Sequence, residues 1–242
     1  MTTERRTLRV RDLQVAVERK AIKNLHLGVY PPHGRVRVAA PHAVSDAAVR
    51  VAVITKLSWI RKQRASFAEQ ARESERSMVS GESHYFLGQR YRLVVNHADG
   101  PSEVVLRSKR LIELRVRSEL DDVARRRVLE RWYRSQLKAY VLPLIEKWAG
   151  NLNVTVAAWG IKRMKTKWGS CNSKARRIWL NLELAKKPPE CVEYLILHEL
   201  AHLRAPRHDA RFLSLMDRHM PRWRSIRKSL NATPLGTEQW DH

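Results

Sequence analysis

The stretch that most constrains this chain is PPECVEYLILHELAHLRAP, residues 188–206. Two prolines open it, and proline is tolerated at a first helical position because its missing N–H would be unpaired there anyway. Glu190 and Glu193 follow in the first turn, where the helix dipole favours acidic side chains. Leu195, Ile196, Leu200 and Leu203 supply apolar surface at helical spacing, and Pro206 stops the run. The pattern predicts a helix. His198 and His202, four apart, lie on one face about one turn from each other, with Glu199 beside them. A helix meant only to fill a core would carry Leu or Ala there.

Two imidazoles one turn apart can converge on one metal, and the intervening glutamate can take a proton from a water that the metal binds. This is the HExxH arrangement. A catalytic zinc keeps three protein ligands and leaves a fourth position to water. His208 is the candidate for the third, six residues past His202 and beyond the Pro206 break. The spacing matches HExxHxxGxxH except that Ala205 replaces the glycine, and no Met-turn can be recognised, so the chain is not read as a metzincin. Asp209 has two readings, a helix-start carboxylate or a partner to a ligating histidine. Cys171 reads as a small buried residue and not as a fourth ligand.

Composition narrows the rest. At 242 residues, 43% of them hydrophobic and only 9 of them glycine, the chain is expected to fold, as one large or two modest domains. No apolar run approaches the ~18 residues of a membrane helix, and no hydrophobic segment follows the basic residues of the N-terminus. A cytoplasmic protein with no membrane partner is expected. Cys171 and Cys191 form no CxxC pair, which excludes a disulfide framework and a four-cysteine zinc site. The net charge of +23 attracts polyanions, nucleic acid first. Its bland reading is solvated helix faces. Basic residues recur in RSKR, ARRRVLERWYR and RWRSIRK, with no separable tail, so the charge belongs to the folded body.

Along the chain, RVRVAAP alternates as a strand, and Ser45 can cap one long helix carrying Val49, Val53, Leu57 and Ile60. HYFLGQRYRLVV, EVVLRS and LIELRVR read as three strands, the first two joined by NHADGPS. From Leu120 to Trp148 the period becomes helical, with a kink or break expected at Pro143. NVTVAAWGIKRM and RIWLNLELA read as strands flanking the turn KWGSCNSK. A boundary near 118 is expected, with a β-rich N-terminal domain over 1–118 and a second domain over 119–242. No internal repeat is visible.

MKTKWGSCNSKARRIWLNLELAKKPPECVEYLILHELAHLRAPRHDARF, followed by PRWRSIRKSLN, resembles the YgjP-like family of zinc metallopeptidases, related to the SprT and WLM groups. AAPHAVSDAAVRVAVITKLSWIRKQ and VSGESHYFLGQRYRLVV are similar to that family's N-terminal region, so the resemblance covers nearly the whole chain. Two departures, Asp209 where the family often has Ser and Leu213 where Trp is common, touch no ligand. The resemblance implies an α+β fold: a β-rich N-terminal region, then a zincin-like C-terminal domain with an HExxH helix packed on a short sheet. It implies one zinc per chain on His198, His202 and His208, with Glu199 as general base.

Three function classes follow. The first is a zinc metallopeptidase, acting on peptides or on nucleic-acid-associated proteins. In it Glu199 takes the proton of a zinc-activated water and returns it to the leaving amine. RIWLNLEL could pair with an extended substrate as an edge strand, or be internal to its sheet. KWGSC could line the site, with Lys167 or Ser170 facing substrate, or be a structural turn with Trp168 in the core. The second class is a metal-dependent nucleotide hydrolase, which basic residues Lys165, Arg204 and Arg207 would suit. The third is a basic DNA- or RNA-binding module with a structural zinc. Retention of Glu199 argues against it, because a structural site needs no base.

Overall fold

The computed structural model describes residues 4–30, 34–69, 77–108, 110–164 and 167–232. The chain divides into two compact units, residues 1–73 and 74–235. The change of period near 118 falls inside the second. The reason is that periodicity marks a change of secondary structure, whereas a domain is set by which side chains share a core. Phe86, Tyr91, Leu93, Ile112 and Leu114, all strand residues from before 118, are buried in one core with the helices that follow.

The first unit is a four-stranded sheet with two helices. Its strands are β1 (Glu4–Val10), β2 (Leu13–Lys20), β3 (His26–Tyr30) and β4 (Arg35–Pro41), in the order β1-β2-β4-β3. The central β2–β4 pair is parallel and the outer pairs are antiparallel. Alternation sends Leu13, Val15 and Val17 of β2 and Val36, Val38 and Ala40 of β4 into the core. Ser45 caps a helix as expected, its Oγ accepting from Ala48 N at 3.2 Å. The single long helix is a correction: it divides at Lys56 into α1 (Asp46–Thr55) and α2 (Leu57–Glu69). Val49, Val53, Leu57 and Ile60 still line one buried side, so the apolar repeat alone could not reveal the break.

The second unit opens with β5 (Ser83–Phe86), β6 (Gln89–His97), β7 (Glu103–Ser108) and β8 (Leu111–Val116), in the order β5-β6-β8-β7, again with a parallel central pair. The strand order of the first sheet is thus repeated, a likeness of topology that the sequence does not display. HYFLGQRYRLVV is two strands, parted by a turn in which Leu87 (φ 46°) and Gly88 (φ 78°) are both left-handed. A side chain on Gly88 would meet the Pro188 backbone at 2.9 Å. That hairpin tip also donates from Leu87 N to Ala185 O (2.8 Å) and from Gly88 N to Lys186 O (3.3 Å). The strands that β6 and β7 offer are not neighbours, since NHADGPS carries the chain across β8.

α3 (Asp122–Leu152) begins at Asp121, whose carboxylate accepts from Ala124 N at 2.7 Å, and ends at Asn153 in the left-handed conformation. It runs through Pro143 without a break. Leu129, Tyr133, Leu137, Val141 and Ile145, each four apart, make its buried stripe. A three-stranded sheet follows, β9 (Ala158–Lys162), β10 (Gly169–Asn172) and β11 (Arg177–Asn181), in the order β10-β11-β9. Part of KWGSCNSK is therefore a strand, and the LELA segment is a 3₁₀ turn, Leu182–Lys186. The last helices are α4 (Pro189–Ala201), α5 (Ala210–His219) and α6 (Trp223–Ala232). No described helix is long and apolar enough to cross a membrane.

Candidate metal centre

α4 is the helix anticipated at the double proline, with Pro188 as its N-cap and Glu190 in its first turn. It is buried nearly all round: Val192, Leu197, Leu200 and Ala201 are at 0% exposure. Glu193 points outward and accepts from Lys147 Nζ (2.8 Å) and Trp148 Nε1 (3.0 Å) of α3, which fixes the helix against its neighbour. The helix ends one residue before the second histidine, so His202 is the C-cap. Two backbone bonds, Leu203 N to Leu200 O and Arg204 N to Ala201 O, tighten the last turn and swing the chain round to α5.

That return brings His208 to the other two histidines. The candidate donor atoms of His198, His202 and His208 all lie within 4.8 Å of one another. His198 Nε2 and His208 Nε2 are 3.2 Å apart. A tetrahedral zinc with bonds of about 2.0–2.1 Å holds its ligand atoms roughly 3.3 Å apart, so this spacing fits. The remaining ring nitrogens have partners. His202 Nδ1 lies 3.3 Å from Ala205 O, which can only accept, so Nδ1 carries the hydrogen and Nε2 keeps its lone pair. His198 Nδ1 lies 3.5 Å from Tyr194 Oη. Tyr194 in turn stacks on Trp223 of α6, with ring centroids 6.4 Å apart. Burial, helped by the neighbouring histidines and Arg227, pushes His198 down to about 3, and burial also lowers His202. Both imidazoles are thus neutral and available as donors, and three imidazole nitrogens are a donor set that suits zinc.

The cluster rests on one residue that its sequence context did not flag. Phe212, 1% exposed, places its ring 5.0 Å from His198, 4.8 Å from His202 and 4.7 Å from His208, centroid to centroid. It sits in the first turn of α5, where Asp209 is the N-cap, accepting from Phe212 N at 3.1 Å. Of the two readings of Asp209, the helix-start one is the contact observed.

Glu199 is 5% exposed and lies against β10, where a Cβ added to Gly169 would be 2.6 Å from its Oε1. Burial pushes its carboxyl up to about 7, with the Lys167 cation pulling the other way. On β10 the residues alternate, so Cys171 shares the face of Gly169 and Ser170 takes the opposite one. Burial, and then Glu199, raises the Cys171 thiol to about 11, which keeps it protonated. Trp168 is in the core, as one reading of KWGSC required. The segment before β10 is held by Asn181, fully buried, which donates to Met164 O (2.9 Å) and Lys167 O (2.8 Å) while its Oδ1 accepts from Met164 N and Glu183 N. β11, the strand RIWLN, is internal to its sheet; β10 and β9 are its two edges, and among the described residues no strand pairs with the other side of β10.

The basic candidates fare differently. Lys167 is near enough to Glu199 to act on its charge. Arg204 turns away, donating to Leu152 O at the end of α3 at 2.7 Å. Arg207 is exposed next to His208, and Lys165 lies outside the described residues.

No match is found among curated proteins. Among solved structures the chain is similar to the metallopeptidase zymogen abylysin of Pyrococcus abyssi, with 24% identity, a TM-score of 0.35, and coverage of 37% of this chain and 90% of that one. It is also similar to the metallopeptidase zymogen jannalysin of Methanocaldococcus jannaschii, with 24% identity, a TM-score of 0.32, and coverage of 39% and 92%. The family profile described as YgjP-like, metallopeptidase domain, matches residues 23–233, and the chain belongs to that family of metal-dependent peptidases.

Proposed function

We propose that His198, His202 and His208 hold one zinc ion per chain and that Glu199 is the general base of a zincin-like peptidase. The observation that carries this reading is the position of Glu199: a buried carboxylate, wedged against Gly169 and one residue from a cluster of three imidazoles. Zinc, when bound, acidifies a water and polarises a carbonyl. The chain's own groups do the rest. Glu199 takes the proton and hands it to the leaving amine. Gly169 gives the carboxylate room, and Lys167 offers it a counter-charge. β10, the strand whose Gly169 packs against Glu199, has no strand on its other side among the described residues and can pair with an extended peptide, its backbone supplying the hydrogen bonds.

Nucleotide hydrolysis gains less support, because Arg204, one of the three cations it would need, is committed to the Leu152 carbonyl. A purely structural zinc has no use for the buried carboxylate. The charge of +23 supports substrates that are themselves held on a polyanion, such as nucleic-acid-associated proteins. The test is hydrolysis of a peptide library and a nucleotide panel by the zinc-loaded protein, with and without DNA, against Glu199→Gln. Peptide cleavage lost in the variant with zinc retained is expected. Nucleotide cleavage alone, or full activity in the variant, would overturn the reading.

A further inference from the structure

The outward face of the β5–β8 sheet carries a cationic recess that the metal centre does not use. Along β6 the side chains alternate: Tyr91 and Leu93 are buried, while Arg90 and Arg92 are exposed. Arg110, also exposed, stands just before β8, its carbonyl accepting from Arg92 N at 2.8 Å. The three arginines, with Ser83 and Gln89, line an open recess of about 660 Å³. Among the described residues no carboxylate pairs with any of the three. The guanidinium contact found there is neutral, Arg90 Nε donating to Ser83 Oγ at 2.8 Å.

The other end of the same face shows what this chain does with arginines that serve only the fold. There Arg107 pairs with Glu113, and Arg115 pairs with Glu103 (2.8 Å) and Glu113 (3.2 Å). Uncompensated like charges brought to one recess repel, and an anion bound among them removes that cost. Guanidinium forks match phosphate oxygens in pairs, and the Ser83 hydroxyl and Gln89 amide add neutral donors. Beside them Tyr85 stands opposite Arg90 in the β5–β6 register and is 37% exposed. An exposed ring among cations on a sheet face is a stacking platform for an unpaired base, a feature for which an acidic peptide has no use.

We infer that this recess binds the phosphodiester backbone of single-stranded nucleic acid, with a base stacked on Tyr85. It shares no residue with the histidine cluster and stands whether or not the peptidase reading holds. The test is fluorescence anisotropy of labelled oligothymidylate with the full chain, titrated with salt. Arg90→Gln/Arg92→Gln/Arg110→Gln should lose affinity by tenfold or more. Its slope of log K against log salt should shrink by about 2, at about 0.7 per phosphate contact on a single strand. The comparison is Arg127→Gln/Arg131→Gln/Lys138→Gln, which removes as much charge from exposed positions of α3 and should lose less. Tyr85→Ala should weaken binding by roughly five- to hundredfold without changing the slope. Arg110→Gln alone, ahead of its strand, keeps the test open should the triple variant fail to fold. Equal losses in the two triple variants would overturn the site in favour of a diffuse field. Full competition by inorganic phosphate at matched phosphate concentration, or by polyglutamate at matched charge, would overturn the choice of ligand.

Discussion

Gly169 and Glu199 occupy one another's space: a methyl group on the glycine would stand 2.6 Å from Oε1 and 3.0 Å from Cδ of the carboxylate. No real Cβ tolerates that approach, and Glu199 is buried on its other sides. Gly169→Ala should therefore displace the base while leaving the histidines in place. Peptidase activity is expected to fall on the order of 10²-fold, the scale of a displacement of about 1 Å, with zinc content near wild type. Kinetics with metal analysis on the same samples check this. Full activity in the variant would mean that the carboxylate is not held where the chemistry needs it.

Metal removal should act on stability as well as on catalysis, because a ligand that binds only the native state stabilises it. At a free zinc concentration about 100 times Kd the gain is about 2.7 kcal/mol, visible as a higher Tm that a chelator removes. His202→Ala should abolish both the bound zinc and the chelator's effect. A Tm in that variant that still responded to zinc would point to another set of ligands.

Phe212 packs its ring against all three imidazoles, and a flat ring in contact with each of them can hold their spacing. Phe212→Ala should cost about 3–5 kcal/mol of stability as a buried large-to-small change. Phe212→Leu refills most of the volume without the flat ring. It is expected to restore most of the stability but not the zinc affinity, as calorimetric metal titration would reveal. Recovery of both together would make Phe212 a packing residue alone.

What was legible in the sequence divides along a physical line. His198, Glu199 and His202 are brought together by the 3.6-residue repeat, so five consecutive positions disclose them. Phe212, Gly169 and Asn181 act across the fold. Gly169 is constrained by a carboxylate thirty residues away in the chain, and Asn181 by carbonyls of the segment before β10. A glycine in KWGSC looks like turn chemistry until the helix is laid against it. Strands β1 and β2 escaped notice because their Arg and Glu interleaved with Leu and Val look like charge patterning as much as a half-buried sheet, and β3 because five residues with a glycine at the centre show too short a pattern. The recess on the outward sheet face depends on β6 lying beside β8 and not β7, a pairing no local pattern encodes.

Acid should loosen the first unit through Glu18. This carboxylate is 7% exposed, yet it pairs with Lys20 Nζ at 2.7 Å, with Arg5 at 3.4 Å and with Arg37. Burial works to raise its pKa, but the hydrogen bonds from Lys20 and Arg37 outweigh it and hold the carboxyl below its ordinary value. A folded pKa below the unfolded one, about 4.3, gives a contribution that is fully present above that value and is lost as pH falls through the folded pKa. Glu18→Gln removes the charge at every pH. The variant should therefore be less stable than wild type near neutrality, and the difference should shrink towards zero on acidification. Amide hydrogen exchange in β2 and β4, the neighbouring strands that the Glu18–Arg37 side-chain contact bridges, reads this locally. A wild-type advantage that stayed constant from neutral pH into acid would assign the loss to packing and not to the carboxylate's charge.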